Sequence, residues 1–169
     1  VYGALKFSDH PRAKVLAINI RIAKKLSGVL KVFTAKDIPG SRYSGLIVSD
    51  WPLMIDVGEE TRYLGDVLAG VVAENETIAR EAVKLIEIKY EVLKPLTDPE
   101  KALDADANKI HPNGNLLSET IIDRGEVEKA LSEADYISEG VYHTQRIEHG
   151  YLEPECSIVR TTENGVEVL

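Results

Sequence analysis

Hydrophobic and polar positions change period several times along this chain, and each change marks an expected element. Residues 1–7, VYGALKF, read as a strand, and after a turn at His10 and Pro11 the run VLAIN (residues 15–19) reads as another. Residues 22–26 suit one helical turn or two, ended by Gly28 in the manner of a C-cap. VLKVF (residues 29–33) predicts a strand, with TAKDIPG (residues 34–40) as its exit turn. Between residues 40 and 60 the periodicity fades. Gly40, Gly45, Pro52 and Gly58 predict a long excursion over the surface, of the kind that is mobile or meets another part of a larger protein.

DVLAGVVA (residues 66–73) is almost continuously apolar and of strand length, which predicts a central strand buried on both faces. Asn75 then suits a helix N-cap, Glu76 its positive end, and Ala79, Ala82, Val83 and Ile86 recur at helical spacing. From Ile86 the period becomes two: Ile86, Ile88, Tyr90 and Val92 alternate with Glu87, Lys89 and Glu91, so a half-exposed strand follows directly. A strand, helix, strand unit of this kind packs its helix on one sheet face. Pro95, Pro99, Pro112 and Gly114 break the pattern over residues 95–115, and a boundary is expected near 105–115. Beyond it, LLSETIID (residues 116–123) reads as a strand. Gly125 leads into a helix bearing Val127, Ala130, Leu131 and Ala134 on one side. Residues 134–145 read as extended, with Ile137 and Val141 on one face, and residues 157–169 alternate like strands. The fold class is therefore α+β: a mixed sheet with one or two packed helices, followed by a truncated β-rich segment of a second domain. The expected partition is a first domain over residues 1–108, a linker over 109–115, and an incomplete second domain over 116–169.

Composition narrows the function. A 169-residue chain with 44% hydrophobic residues can fill a core. Its net charge of -8, without a basic stripe, disfavours a nucleic acid partner. No apolar stretch approaches the roughly 20 residues that span a bilayer, and the single cysteine, Cys156, rules out an internal disulfide framework. The expected compartment is the cytoplasm. The chain starts at Val1 inside a strand-like run and stops at Leu169 in mid-pattern, so an excised piece of a longer protein is expected.

The densest polar window is TQRIEHGYLEPEC (residues 144–156), which gathers Glu148, His149, Tyr151, Glu153, Pro154 and Glu155 at an expected turn beside a pocket. His143, His149 and Glu153 lack a fixed geometry and a fourth metal ligand, so no metal site is assigned. Cys156, flanked by Ile158 and Val159, reads as buried and unreactive. Ser8, Asp9 and His10 are consecutive and do not make a triad by proximity in sequence. Lys36 and Asp37 read as solvated turn residues, and Trp51 as an anchor of its loop. An acidic hydrolase using Glu148, Glu153 or Glu155 stays open as another reading.

Four stretches together carry a resemblance: YGALKFSDHPRAKVLAIN, LSGVLKVFTAKDIPG, RYLGDVLAGVVAENETIAREAVKLIEIKYEVL and RGEVEKALSEADYISEGVYHTQRIEHGYLEPE. In this order they resemble the molybdenum-binding chain of the xanthine dehydrogenase and aldehyde oxidase family. The resemblance implies that the first domain is an α/β hammerhead and that residues after the linker open the domain holding the molybdopterin cofactor. It implies hydroxylation of a heterocycle or aldehyde with oxygen from water at a molybdenum centre. Electrons would leave through iron-sulfur clusters and FAD on other domains or subunits. The implied partners are the remaining molybdopterin domain, the iron-sulfur and flavin domains or subunits, and a small-molecule substrate, with family members pairing as dimers. Gly65 and Asp66 match the family's Gly-acidic step before the core strand, a structural role. Glu148 and His149 match its Glu-His pair at the opening of the cofactor domain, as candidates for support behind the cofactor or at the domain interface, with hydrogen bonds to backbone at a turn as the plainer reading. No catalytic residue and no metal ligand is carried over, because the family's catalytic segments align beyond Leu169. The piece alone is expected to be scaffolding without activity. A binding module of the same fold without redox chemistry is the alternative.

Overall fold

The computed structural model describes residues 1–150, 152 and 157–169. The chain divides into two compact units, Val1–Thr120 and Ile121–Leu169. In the first unit the strands are β1 (Tyr2–Phe7), β2 (Ala13–Asn19), β3 (Val29–Phe33), β4 (Tyr43–Ser44), β5 (Trp51–Pro52), β6 (Val67–Ala73) and β7 (Glu87–Val92), with helix α1 (Glu76–Lys84) between the last two. The α+β class holds, and the strands divide among small antiparallel sheets. One has the order β1-β6-β3, another joins β2 to β7, and a third joins β4 to β5.

β6 is the centre of the first unit, as its apolar run predicts. Ala69 and Val71 face a cluster with Ala23, Val32, Ala82 and Ile86. Leu68 joins Val15 and Ile55 in another. Because successive side chains of a strand point to opposite faces, these neighbours show β6 buried on both sides. α1 packs on β1 and β6. It starts where Asn75 Oδ1 accepts the Ile78 N–H at 2.9 Å, a side-chain cap of the kind that satisfies one orphan amide of a first turn. β7 leaves this sheet and pairs with β2, so the strand, helix, strand unit bridges two sheets rather than lying on one. Ile18 and Ile88, partners across the β2–β7 ladder, join the arrangement by packing against both core clusters.

Gly28 has φ +84°, and a Cβ there would lie 2.6 Å from Ile78 Cδ1. The expected C-cap glycine is thus required by its left-handed conformation, while the Ile78 side-chain end beside it could shift.

The expected surface excursion over residues 40–60 is corrected. Pro52 and Ile55 are buried, Leu53 N–H donates to Arg42 O at 2.7 Å, and Ile55 N–H donates to Val67 O at 2.9 Å. The end of the segment then runs along β2: Gly58 N–H donates to Val15 O, Val15 N–H to Glu59 O and Thr61 N–H to Ala13 O, at 2.7–2.9 Å. The first half fits the expectation: residues 43–49 are all exposed, with Leu46 and Ile47 fully so. Ladders of two residues are too short for periodicity to register.

The second unit contains α2 (Val127–Ser132) and a hairpin of β8 (Val159–Thr162) with β9 (Gly165–Val168). The hairpin turns at Glu163 and Asn164 and is braced by the cross-strand pair Arg160–Glu167. Every side chain from residue 116 to 150 is exposed. The expected strand at 116–123 is absent, and residues 134–145 likewise have no ladder among the described residues. Alternation makes a segment fit for a strand, but the strand exists only where a partner takes up its backbone groups.

Candidate functional site

Glu148 and His149 are both exposed, in a stretch without helix or ladder. His143, the third described residue of that neighbourhood with ligand chemistry, is exposed as well. Tyr151, Glu153, Pro154, Glu155 and Cys156 lie outside the described residues. Among the described residues no three His, Cys, Asp or Glu side chains assemble into a metal-binding group.

Among the described residues, charged side chains gather around a cavity in the first unit. This cavity, of about 640 Å³, opens between residues 59–63 and two later stretches, 95–97 and 109–112. Arg12 Nε donates to Glu60 Oε2 at 3.1 Å, and its Nη1 donates to Lys94 O at 3.1 Å. Behind it, Arg42 grips the lining residue Glu59 through both terminal guanidinium nitrogens, with Nη1 at 3.0 Å from Oε2. The same Glu59 oxygen accepts the Asp56 N–H at 2.8 Å. The Arg42 hydrogen bonds therefore hold the Glu59 carboxyl below its ordinary range and push the guanidinium pKa up. Asp50 Oδ2 lies 2.7 Å from His111 Nδ1, and Arg62 Nη1 donates to Asp50 O at 2.7 Å.

Since Glu59 titrates lower folded than unfolded, its pairing stabilises the protein above the ordinary value of 4.5 and is lost as the pH falls through the lowered one. Arg42→Gln is expected to return the Glu59 midpoint toward that ordinary value, followed by carboxyl NMR titration. It should also remove roughly 1 kcal/mol of stability at neutral pH, as for a bidentate pair half sheltered from water.

The remaining sequence candidates have structural partners. Ser8 is buried; its hydroxyl donates to His10 O at 2.7 Å and accepts the His10 N–H at 3.2 Å, which closes a turn rather than arming a nucleophile. The Tyr90 ring meets His10 edge-on at 5.0 Å, and burial pushes its phenol pKa up. Asp37 takes the Thr34 N–H at 2.9 Å in a capping box instead of pairing with Lys36, and that bond lowers its carboxyl pKa. Asp66 is buried, with Oδ2 accepting the N–H groups of Arg62 and Tyr63. At Gly65 a Cβ would stand 2.0 Å from the outer end of the Tyr63 ring, so a side chain there would displace that ring. Trp51 rests on Tyr63 at 5.4 Å between centroids and pairs with Ser44 in the short ladder, an anchor of its loop.

Comparison with known proteins decides the family. The family model described as "Aldehyde oxidase and xanthine dehydrogenase, a/b hammerhead domain" matches residues 1–94. The chain belongs to the aldehyde oxidase and xanthine dehydrogenase family. The model of the molybdopterin cofactor-binding domain matches residues 110–169 of this family member. Its relatives include a probable xanthine dehydrogenase subunit of Bacillus subtilis, 34% identical over 98% of this chain and 22% of that protein. The nicotinate dehydrogenase large molybdopterin subunit of Eubacterium barkeri is 30% identical over 98% of this chain and 39% of that protein. Among solved structures, the aldehyde oxidoreductase of Desulfovibrio gigas superposes with a TM-score of 0.87 at 27% identity, covering 98% of this chain and 19% of that one. The chain thus spans well under half the length of these relatives.

The described residues do not by themselves fit a molybdopterin cradle: residues 116–150 are exposed throughout, and no metal-binding group forms among the described side chains. No helix among the described residues is long and apolar enough to cross a membrane.

Proposed function

We propose that this chain supplies the hammerhead domain and the opening segment of the molybdopterin-binding domain of a cytoplasmic molybdenum hydroxylase that oxidises a heterocycle or aldehyde with water-derived oxygen. The observation that carries this reading is the order of the two family matches, residues 1–94 and then 110–169, within one chain that superposes over 98% of its length on an aldehyde oxidoreductase. The redox chemistry belongs to the molybdopterin-bound molybdenum of the complete protein, with iron-sulfur clusters and FAD on further domains or subunits. The present residues act as scaffold. The hammerhead is assigned to residues 1–108, the junction to 109–115 and the start of the cofactor domain to 116–169. The two matches support a division of the chain into two domains in this order, with the change of domain falling between residues 94 and 110. Packing carries the compact body a little further, to Thr120, because the junction is bound to the first unit. Glu148 and His149 are assigned to polar support behind the cofactor, on their place within the matched cofactor-domain segment.

Metal and pterin analysis of the complete gene product tests the reading. Molybdenum and pterin in near-equal amounts are expected to accompany the purified protein, and neither would accompany a binding module of the same fold. Glu148→Gln and His149→Gln in that protein should lower molybdenum content or turnover without abolishing turnover; complete loss from either would place the residue in the chemistry instead.

A further inference from the structure

We propose that residues 95–115 form a latched strap across the cavity of the first unit, a segment that opens as a body while the sheets beneath stay intact. The strap contributes Pro95, Leu96 and Thr97 to the cavity at one end and Lys109, Ile110 and His111 at the other. Between those ends it is folded on itself by one side chain. Asn115 Oδ1 accepts the Ile110 N–H at 2.7 Å, and Asn115 Nδ2 donates to Ala102 O at 3.0 Å and to Asn108 O at 2.9 Å. A segment so tied moves as one piece.

Its hydrogen bonds to the rest of the unit lie at its two ends, while Leu96 and Ile110 are only partly buried beside the cavity. At the start, Arg12 holds the carbonyl of Lys94 while paired with Glu60. At the far end, His111 Nδ1 donates to Asp50 Oδ2, and Arg62, bonded to the Asp50 carbonyl, brings its Nη1 to 3.4 Å from the same ring nitrogen. With that nitrogen donating to the carboxylate, Arg62 acts as a neighbouring charge that steadies Asp50. None of residues 95–115 belongs to the buried core. Segments held by a few hydrogen bonds over little buried apolar surface open at much lower free energy than core strands, and here β6 supplies the contrast.

Hydrogen exchange of the whole 169-residue chain, with Asp50→Ala, His111→Ala and the double variant, tests this. In the wild type the amides of Ala107, Ile110 and Gly114, each hydrogen-bonded within the strap, should be protected, yet less so than those of Ala69 and Val71. Each single variant should accelerate the strap amides by about tenfold, the double variant no further, and the β6 amides should not change. Unprotected strap amides in the wild type would overturn the proposal. So would additive effects, no effect in either single variant, or equal acceleration of β6. If Asp50→Ala fails to fold, His111→Ala decides by the same comparison of strap and β6.

Discussion

Leu68→Ala is expected to cost the first unit about 2–5 kcal/mol, the largest single loss among these predictions. Leu68 is fully buried in the central strand and fills the space between Val15 and Ile55, with Ile18, Ile88 and Tyr90 closing around them. Truncation removes its transfer free energy and leaves a hole that the walls cannot readily fill, because they come from β2, β7 and the stretch before β6, which are hydrogen-bonded to one another or to β6. Urea unfolding monitored by circular dichroism measures the loss. Leu117→Ala serves as the control: at 94% exposure that side chain should change stability by no more than about 0.5 kcal/mol. Equal losses at the two positions would show that β6 is not the centre of the core.

Thr61→Val is expected to cost about 1–3 kcal/mol although it nearly preserves shape. Thr61 is almost fully buried, and its Oγ1 accepts the N–H of Ala13 at 2.9 Å while the hydroxyl reaches His10 O at 3.2 Å. Valine leaves the buried Ala13 amide without this partner. Ser is the informative comparison, since Thr61→Ser keeps the hydroxyl and should recover most of the loss in the same urea experiment. If valine and serine behave alike, packing rather than the hydrogen bond sets the role of this position.

How much of this was legible in the sequence depends on the range of the interaction. Residues 66–73 announced a central strand because burial on both faces leaves no polar position. Asn75 and Gly28 announced helix and turn ends because caps are read from single residues. Thr61, Asp50 and His111 gave no signal, since their partners stand at Ala13 and at each other, tens of residues away, and nothing local marks such a pairing. Two further local signals lie in spacing rather than in periodicity: Thr34 with Asp37 is a capping-box spacing, and Asn164-Gly165 is a hairpin dipeptide. The expected strand at 116–123 shows the converse limit, because a local run of strand-forming residues cannot state whether a partner strand is present. At the candidate site, Glu148 and His149 could be placed by family resemblance alone. The cavity could not be placed at all, its lining residues being scattered from Pro11 to Pro112.

The pairing of β1 with β6 has a consequence for biosynthesis. The residues between Phe7 and Val67 must be made before that ladder can close, and at a ribosomal pace of about 5–20 residues per second this takes roughly 3–12 s. During that interval the nascent Tyr2–Phe7 segment presents unsatisfied amides and apolar side chains to its surroundings. A holding chaperone acting on this short stretch would be released by the arrival of a single strand, Val67–Ala73.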